Sequence, residues 1–377
     1  MKKIFLVFIC LFFISNVKAE EVKLANNAKS AILIESSTGE ILFENNSHEK
    51  LHPASMTKMM SMLLILESID KGLIKWEDEV VVSPNASSMG GSQILLETGE
   101  KMSVKDLFKC IAVASGNDAV VAMAEKISGT EEGFVILMNK RAKELGLNDT
   151  HFVNCHGIDA PDHYSSAYDM AMIAKELSKH EEVFKFSSIY EDYLRKDTDR
   201  KFWLVNTNKL VRFYNGADGL KTGYTSLAGY CLTATAKRDG MRLIAVVMGE
   251  ESSEVRNQEV SQMLDYGFAN YGIINVLTTN DKVGKAKVIK GKINEIDLYP
   301  SRNITILYKK IDSKPDITYD LDVKTLEAPL KKGDIVGKLR INKNGSYLNN
   351  IDLIINNDIE KINFIEQYLL NLRRLFS

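Results

Sequence analysis

An apolar run between residues 59 and 66 is the feature that most restricts how this chain can fold. The run contains neither proline nor glycine and follows shortly after Pro53, a residue type that often begins a helix. It therefore predicts a buried helix from about Ser55 to Lys71. Ser55 and Lys58 are three residues apart in the first turn of that helix, which places both side chains on one face. The lysine amine can then reach the serine hydroxyl.

A second Ser-x-x-Lys occurs at Ser47–Lys50, but it precedes Pro53 and leads into no predicted helix. We interpret this second copy as chance and take Ser55 as the candidate nucleophile. Because a lone Ser-x-x-Lys is weak evidence, that choice depends on residues elsewhere in the chain.

The elements around this helix predict a layered α/β domain with an antiparallel sheet, because strands lie at both ends of the segment and helices lie between them. A hairpin at residues 31–44 opens the domain around the turn 36–39. The other predicted elements are a short strand at 80–82, helices at 104–127 with a break at 114–117, at 131–145 and at 167–179, strands at 229–236 and 243–248, and a closing helix at 253–271.

The composition changes near Thr278. From there to about Ile355, short β-rich stretches are separated by Gly, Asn or Pro residues, which predicts a small all-β domain. Residues 281–355 carry fifteen Lys or Arg and ten Asp or Glu, although the whole chain has a formal net charge of −2. This basic module could contact an anionic polymer or lipid, or its charge could be a solvated surface. No nucleic-acid partner is expected.

The first nineteen residues have the pattern of a secretory signal peptide. Lys2 and Lys3 precede an eleven-residue apolar run that starts at Ile4, and a small-residue cleavage site ends at Ala19. A retained membrane anchor is the alternative, but the run is shorter than the roughly 20 residues that a span needs. We therefore predict a signal peptide at 1–19 and an exported protein, located in the periplasm or otherwise outside the cytoplasm.

Residues 357–377 predict an amphipathic helix at the C-terminus. Large apolar residues recur at helical spacing along one stripe, and Lys361, Arg373 and Arg374 lie largely elsewhere. The longest unbroken apolar run, Tyr368–Leu370, is far too short to cross a bilayer. We predict that this helix lies in the outer face of the cytoplasmic membrane, with its apolar side at the acyl boundary. A helix docked on its own domain is the alternative.

The cysteines give no sign of a disulfide framework or a metal site. Removal of the signal peptide leaves Cys110, Cys155 and Cys231, an odd and sparse set without Cys-x-x-Cys spacing. We predict that they are buried thiols, and no metal or other cofactor is expected.

Two further short motifs follow Ser55 in the chain. A Ser-x-Asn motif at residues 115–117 lies in the break between two predicted helical segments. A Lys-Thr-Gly motif at residues 221–223 comes directly before the strand that is predicted to begin near Gly229. Each motif is weak evidence by itself, but the order Ser-x-x-Lys, Ser-x-Asn, Lys-Thr-Gly is a specific combination.

With these motifs the sequence strongly resembles the low-molecular-mass penicillin-binding proteins of the D-alanyl-D-alanine carboxypeptidase family, which are serine peptidases. The resemblance covers nearly the whole chain, and the segments that carry it are 51–58, 114–119, 216–225 and 326–333. It implies an α/β (α+β) domain of the penicillin-recognising, β-lactamase-like class with an antiparallel sheet at residues 20–277. A small β-rich domain at 278–356 and a membrane-associating helix at 357–377 would follow.

The residue types of the first two motifs suit nucleophilic catalysis. A serine hydroxyl is a poor nucleophile unless a neighbouring group takes its proton, and Lys58 can do so only when it is uncharged. Burial, the positive end of the helix and a second cation at Lys221 would each lower the pKa of Lys58. Ser115 would relay a proton to the leaving amine, and Asn117 would bond the backbone amide of the substrate.

The third motif is expected to hold the other end of the substrate. Lys221 and Thr222 suit its terminal carboxylate, and Gly223 lets the edge strand approach closely. The resemblance implies that the backbone N–H groups of Ser55 and Tyr224 form the oxyanion hole.

Two further positions bear on the substrate. By the resemblance, Arg256 helps to hold the terminal carboxylate, and the alternative is a surface charge on its helix. Thr207 stands where the family often has arginine, which leaves the details of substrate and inhibitor selectivity open.

The sequence therefore predicts an exported serine D-Ala-D-Ala carboxypeptidase that trims the terminal D-alanine from peptidoglycan pentapeptides through an acyl-enzyme. β-Lactams would acylate Ser55, because their strained amide mimics that peptide. A DD-endopeptidase or transpeptidase shares this chemistry, and a β-lactamase shares the fold but does not predict the appended β domain. A non-catalytic cell-wall-binding protein is a further alternative, although the reactive residues of all three motifs are intact.

Overall fold

The structure is a computed structural model that describes residues 23–363. The predicted signal peptide, residues 1–19, and residues 364–377 of the predicted C-terminal helix lie outside the described residues. Within the described part, no helix combines the length and the apolar character that crossing a bilayer requires.

The described elements alternate as the sequence predicts, with additional short helices and strands. The helices are α1 (Lys58–Asp70), α2 (Pro84–Ser87), α3 (Val104–Ala114), α4 (Asn117–Ser128), α5 (Glu131–Glu144), α6 (Ala167–Leu177), α7 (Glu182–Ser187), α8 (Leu210–Phe213) and α9 (Ser253–Asn270). The strands of the first part are β1 (Ser30–Glu35), β2 (Ile41–Asn45), β3 (Glu79–Val81), β4 (Lys101–Ser103), β5 (Glu191–Leu194), β6 (Phe202–Val205), β7 (Ala217–Thr225), β8 (Gly229–Arg238) and β9 (Met241–Glu250). The later strands are β10 (Tyr271–Leu277), β11 (Gly284–Ile289), β12 (Glu295–Pro300), β13 (Ile304–Lys309), β14 (Ile317–Asp322), β15 (Leu326–Glu327), β16 (Ile335–Lys343) and β17 (Ser346–Ile354).

The first domain is built around a five-stranded antiparallel sheet with the strand order β2-β1-β9-β8-β7. The predicted hairpin forms the β1–β2 edge of this sheet. Strands from both ends of the domain pair side by side, since β1 lies against β9. The predicted antiparallel α/β architecture is confirmed.

The Lys-Thr-Gly motif lies within a strand, whereas the sequence predicts it directly before one. β7 spans Ala217–Thr225 and pairs along its length with β8. Its sequence contains two glycines and no regular alternation of apolar and polar residues. Its extended conformation is therefore due to pairing with β8 and not to its own residue pattern. As the last strand of the sheet, β7 keeps one edge of its backbone outside the hydrogen-bond ladder.

Helices cover both faces of this sheet and enclose the helix that follows Ser55. On one face α9 packs against β8 and β9 around a core that includes Val260, Met263 and Leu264. On the other face α1, α3, α4 and α6 form the larger core. Ten of the thirteen residues of α1 are buried, which confirms the buried helix predicted from the apolar run.

A sharp break between α3 and α4 places the second motif. Ser115 adopts a left-handed backbone conformation, with φ 63°, and ends α3. Asn117 begins α4 after a single intervening glycine. The predicted interruption of the helical pattern at 114–117 is confirmed, and it brings both polar residues of the motif to the same corner of the fold.

The second domain is all-β, as the sequence predicts. Its main sheet has six strands in the order β14-β16-β17-β12-β11-β15, in which β11 and β15 are the parallel pair. A separate core that includes Leu298, Leu339 and Leu353 holds this sheet together. β10 pairs with β13 of the second domain, so the strand pairing changes at the end of α9, before the composition changes near Thr278.

Residues 357–363, the described part of the predicted C-terminal helix, are not helical. Ile359 exchanges backbone hydrogen bonds with Leu330, and the Ile362 N–H donates to the Lys290 carbonyl. The Ile359 side chain is buried in the core of the β domain. Packing in the β domain therefore explains why Ile359 is apolar. Residues 357–363 extend that domain instead of starting a helix.

Candidate active site

The Ser-x-x-Lys motif brings a serine hydroxyl and a lysine amine together at the start of α1. Ser55 lies in a 3₁₀ turn, Ala54–Thr57, and α1 begins directly afterwards at Lys58. Ser55 is half-buried, whereas Lys58 is fully buried. The Lys58 Nζ lies 3.0 Å from the Ser55 Oγ, within hydrogen-bond distance.

Three oxygen atoms surround the Lys58 amine. Besides the Ser55 Oγ, they are the Asn117 Oδ1 and the His156 carbonyl oxygen, each at 2.6 Å. The amide and carbonyl oxygens can only accept hydrogen bonds. A neutral amine uses its two N–H bonds on these two acceptors, and its lone pair then remains for the serine hydroxyl. The geometry therefore suits a base that takes the Ser55 proton.

Burial lowers the pKa of Lys58 to about 7, because the charged form of an amine is disfavoured away from water. The Cys155 thiol group and the Asp118 carboxylate act in the opposite direction. Uncharged Lys58 is therefore abundant near neutral pH. The direction of this shift is the one that the sequence predicts, and burial is its largest cause.

Asn117 orients the amine and joins it to a neighbouring loop. Its Oδ1 accepts from Lys58, and its Nδ2 donates to the Gly90 carbonyl at 2.7 Å. Its backbone N–H donates to the Ser92 carbonyl. Because both ends of the side-chain amide are engaged, Asn117 holds Lys58 in place, a role additional to the predicted contact with the substrate.

Asp118 fixes the same loop against α4. Its buried carboxylate accepts hydrogen bonds from the backbone N–H groups of Ile94, Leu96 and Ala119. These bonds hold the loop along the candidate site, where Ser92 forms part of the cavity wall.

Two glycines let neighbouring segments approach the turn that carries Ser55. Gly157 has φ +90°, and a Cβ atom there would lie 1.9 Å from the Ala54 carbonyl oxygen. A Cβ atom at Gly223 would lie 2.7 Å from the Pro53 carbonyl oxygen, which agrees with the predicted close approach of the strand. A side chain at either position would displace the Ser55 turn.

Ser115 presents an unpaired hydroxyl to the same site. It is buried and forms part of the cavity wall together with Ser55, and its Oγ has no hydrogen-bond partner among residues 23–363. A buried polar group without a partner costs about 1–3 kcal/mol. The hydroxyl is therefore available to a substrate atom, which suits the predicted relay of a proton.

The third motif contributes a buried amine and a hydroxyl. The Lys221 Nζ donates to the Thr222 carbonyl at 3.0 Å. Burial, followed by the charges of Lys58 and Arg256, lowers the pKa of Lys221 well below its usual value. The Thr222 hydroxyl donates to the Thr207 hydroxyl oxygen at 2.7 Å. Thr207, where the sequence departs from the family pattern, thus supports the motif through a hydroxyl group.

A cavity of about 610 Å³ opens in front of Ser55. Besides Ser55, its walls include Thr207 and five of the predicted site residues, which are Ser115, Thr222, Gly223, Tyr224 and Arg256. Further wall residues belong to none of the predicted motifs, and they are Ser92, Val205, Asn206, Lys209, Tyr230, Ser253, Glu254 and Asn257. Lys58, Asn117 and Lys221 are buried behind this surface.

Arg256 reaches the cavity from α9. It is buried, and its Nε and Nη2 donate to the Asn257 Oδ1 at 3.2 and 3.0 Å. No carboxylate within residues 23–363 forms an ion pair with it, and burial lowers the pKa of its guanidinium. A buried cation that forms no ion pair within residues 23–363 favours an anionic ligand, so the geometry favours the predicted carboxylate-binding role over a surface charge.

The sequence carries little signal for the groups that support Lys58 from the far side. His156 contributes only its carbonyl oxygen, 98 residues from Lys58 in the chain, and Gly157 acts by lacking a side chain. A backbone carbonyl and a missing side chain form no motif that could be recognised in a sequence. Asp118 could have been proposed from the sequence, because it directly follows the Ser-x-Asn motif.

Cys110, Cys155 and Cys231 are buried and free, as the sequence predicts. In the part of the chain that the structure describes, no cluster of three or more His, Cys, Asp or Glu side chains could hold a metal ion.

Two family models match the chain. Residues 16–252 match the D-alanyl-D-alanine carboxypeptidase model of the S11 peptidases, and residues 271–361 match the C-terminal domain of penicillin-binding protein 5. The second match begins at the first residue of β10, where the strand pairing also changes.

Individual proteins are similar over most of the same length. D-alanyl-D-alanine carboxypeptidase DacF of Bacillus subtilis (strain 168) is 53% identical over 344 residues, which cover 91% of this chain and 88% of DacF. The structure of penicillin-binding protein 5 from Haemophilus influenzae matches with a TM-score of 0.74 and 33% identity, over 91% of this chain and 100% of that one. Penicillin-binding protein D2 from Listeria monocytogenes in its ampicillin-bound form matches with a TM-score of 0.58 and 30% identity, over 64% of this chain and 98% of that one.

Gly157→Ala should slow the acylation of Ser55 by about 100-fold or more, because the added Cβ would push the Ser55 turn away from Lys58. The rate of labelling by a fluorescent β-lactam measures this. Gly129 is the matched control, since it has φ +81° and no atom of the described residues within 4 Å of a Cβ position. Gly129→Ala should lose about 1 kcal/mol of stability and keep its labelling rate. Equal labelling rates in the two variants would contradict the supporting role of Gly157.

The labelling rate of Ser55 should rise with pH through about 7 and then level off, because neutral Lys58 accumulates as the pH passes its pKa. Well below that pH the rate should fall roughly tenfold per pH unit. Stopped-flow labelling between about pH 5 and 9 measures this profile. Lys58→Arg, which stays charged, should show no such rise. A normal profile in that variant would refute Lys58 as the base.

Proposed function

Because this chain belongs to the D-alanyl-D-alanine carboxypeptidase family, we propose that Ser55 attacks the bond between the two terminal D-alanines of a peptidoglycan stem peptide. The chain is a serine-type D-Ala-D-Ala carboxypeptidase with the penicillin-binding-protein fold. The observation that carries the residue assignment is a buried lysine amine, 3.0 Å from a serine hydroxyl that opens to the cavity.

In the first step Lys58 takes the proton of Ser55 while the Oγ bonds to the carbonyl carbon of the penultimate D-alanine. Negative charge develops on the carbonyl oxygen, and the backbone N–H groups of Ser55 and Tyr224 would hold it. Loss of one such donor typically costs about 2.7–4 kcal/mol of barrier. The tight packing of Gly223 against the Ser55 turn supports this pairing, because it brings the two segments together.

In the second step the C–N bond breaks and the leaving D-alanine amine needs a proton. The unpaired Ser115 hydroxyl would pass it from the Lys58 ammonium to the leaving nitrogen. Water then attacks the acyl-enzyme ester with Lys58 as its base, which releases the shortened peptide and restores the Ser55 hydroxyl. Lys58 ends the cycle in its starting protonation state.

Arg256, Thr222 and Lys221 would hold the terminal carboxylate of the substrate. Arg256 and Thr222 form part of the cavity wall, and the Lys221 amine is buried behind it. Neither cation forms an ion pair with a protein carboxylate in the described part of the chain. The free C-terminus of the peptide supplies that missing charge, and charge-assisted hydrogen bonds are among the strong ones.

β-Lactams would acylate Ser55 as slowly released substrate mimics. Penicillin-binding protein D2 from Listeria monocytogenes has been solved in its ampicillin-bound form, and this chain shares its fold. A penicillin combines a strained amide with a carboxylate, so it could use the same oxyanion donors and the same cations as the peptide.

Incubation of the purified protein with a pentapeptide ending in D-Ala-D-Ala should remove a single alanine, which mass spectrometry detects. Ser55→Ala should lower this rate about 10⁴-fold or more, because no acyl-enzyme can form. Ser47→Ala is the matched control, since Ser47 begins the other Ser-x-x-Lys and its hydroxyl donates to Glu44 at 2.6 Å. It should retain the wild-type rate.

Other products would identify the alternative functions. A product joined to an added acceptor amine indicates a transpeptidase, and cleavage of a cross-linked peptide dimer indicates an endopeptidase. Rapid multiple turnover of penicillin indicates a β-lactamase. An intact pentapeptide after incubation with the wild type would contradict the carboxypeptidase assignment and favour a non-catalytic wall-binding protein.

We also propose that the protein is exported and acts on the outer face of the cytoplasmic membrane. The signal-like pattern of residues 1–19 supports export, as does a cell-wall substrate. The amphipathic pattern beyond the last paired segment of the β domain supports contact with a membrane surface. In this proposal the catalytic domain follows the signal peptide, and the β domain separates it from the membrane-associating segment.

Deletion of residues 364–377 should release the protein from membranes and leave its carboxypeptidase rate unchanged. This cut spares Ile359 and Ile362, whose backbone hydrogen bonds hold one end of the β domain. Sedimentation with anionic lipid vesicles measures the bound fraction. Deletion from residue 357 is the comparison variant and should, in addition, lower the unfolding temperature. Undiminished sedimentation of the shorter deletion would rule out the anchor.

A further inference from the structure

Two buried glutamates form a carboxyl–carboxyl pair beside the candidate active site. Glu250 ends β9 and Glu259 lies on α9, and three of their four carboxyl oxygens are buried without a donor from residues 23–363. The two residues are 1% and 5% exposed. Such a pair needs explanation, because buried carboxylates are normally bound by donors or cations.

One of the four oxygens of this pair has another partner in the described part of the chain. The Glu259 Oε1 accepts from the backbone N–H and the Nδ2 of Asn27, at 3.0 and 2.7 Å. Both oxygens of Glu250 and the Oε2 of Glu259 have no donor from any other residue between 23 and 363. Two ionised carboxylates in contact would repel each other strongly in a buried site. The arrangement therefore requires a proton between them.

Arg256 lies between the two glutamates in sequence and close to them in space. It is three residues before Glu259 on α9, about one helical turn away. Its positive charge acts on Glu250, but it forms no ion pair with either carboxyl group. The charge of the pair therefore decides how much of the positive field of Arg256 reaches the cavity.

Other ionisable groups face the pair from each neighbouring element. Glu251 directly follows Glu250, and Lys29 packs against the residue before Glu250. Cys231 lies on the adjacent strand, and burial raises the pKa of its thiol to about 11, so it is uncharged near neutral pH. Tyr230, a residue of the cavity wall, is the cross-strand neighbour of Glu250. None of these groups replaces the proton that the pair needs.

We propose that Glu250 and Glu259 are positioning residues for Arg256, and that they act by sharing one proton. The shared proton limits the charge of the pair to −1 instead of −2, so Arg256 faces one negative charge there and not two. The hydrogen bonds from Asn27 to Glu259 also tie the segment around Asn27 to α9, the helix that carries Arg256. The inference rests on the proposed role of Arg256 in binding the substrate carboxylate.

Loss of the shared proton should weaken substrate binding at alkaline pH. Burial, followed by the hydrogen bond to Glu259, raises the pKa of Glu250 to about 8. Above that pH the pair carries two negative charges, which repel each other and compete with the substrate for Arg256. The KM for a peptide ending in D-Ala-D-Ala should rise roughly tenfold between about pH 7 and 9, with little change in kcat.

The same proton should make the stability of the fold depend on pH. A carboxyl group whose pKa rises on folding binds more proton in the native state than in the unfolded state. The contribution of Glu250 to the free energy of unfolding is complete below about pH 4.5. It is lost as the pH rises through about 8.

Glu250→Gln tests both consequences, because a glutamine amide donates to Glu259 at every pH. KM and urea unfolding are measured between about pH 5 and 9 for the wild type and this variant. The variant should hold its KM within about twofold between pH 7 and 9 and lose the alkaline fall in unfolding free energy. Glu259→Gln, which keeps an oxygen for Asn27, is the second variant in case the first does not fold. Glu251→Gln, an exposed neighbour whose charge contributes to the raised pKa of Glu250, is the matched control and should shift the alkaline rise in KM only slightly.

Lys58 and Lys221 titrate in the wild type and in the variants alike. The difference between the pH profiles of the wild type and a variant therefore reports the effect of the glutamate pair alone. A KM that rises equally in the wild type and in Glu250→Gln would overturn the proposal, as would parallel stability curves. Arg256→Ala separates this result from the proposed function. If that substitution leaves KM unchanged at pH 7, Arg256 does not bind the carboxylate, and the positioning role falls whatever the protonation of the pair.

Discussion

The catalytic domain depends on keeping the amine of Lys58 out of water. Burying an ammonium group costs on the order of several kcal/mol, and here the nearest acceptors are uncharged oxygens of Asn117 and His156. Asp118, a nearby carboxylate, is already bound by three backbone N–H groups, so it orders a loop instead of forming an ion pair with Lys58. The amine is therefore hydrogen-bonded but not neutralised by a counter-ion, and that is the environment in which a lysine becomes a base at neutral pH.

Such burial leaves little space around the Ser55 turn, and backbone geometry decides which segments can reach it. Gly157 and Gly223 each bring a main chain to within a distance that a Cβ atom would forbid. Ser115 turns the chain between α3 and α4 through a left-handed conformation, so that Ser115 and Asn117 approach from a third side. The three motifs are thus held together by main-chain contacts and buried amides more than by contacts between their reactive groups.

This arrangement explains which features the sequence predicts and which it does not. The helix after Ser55 is predictable because its apolar run has no interruption, and the reactive residues are predictable because their types and order are specific. The strand that carries Lys221 is missed, since its extended form comes from pairing with β8 and not from its own pattern. The sequence wrongly predicts a helix at Ile359 for a similar reason, because Leu330, its antiparallel backbone partner, is distant in sequence. The contact between Glu250 and Glu259 joins a strand to a helix, and two acidic residue types carry no local sign of a shared proton.

The positive charge buried near Lys58 also explains why the enzyme should require a free C-terminus. Lys221 and Arg256 both have lowered pKa values, burial being the largest cause, and neither forms an ion pair with a protein carboxylate within residues 23–363. In the proposed mechanism, a peptide that ends in a carboxylate supplies the missing charge when its scissile bond reaches Ser55, whereas a peptide that continues beyond that point leaves Lys221 and Arg256 without a partner of opposite charge. Binding energy from the carboxylate then positions the reacting carbonyl. In this proposal, the burial that would make Lys58 a base and the burial that would make the site select a chain terminus are consequences of the same packing around α1 and the edge of β7.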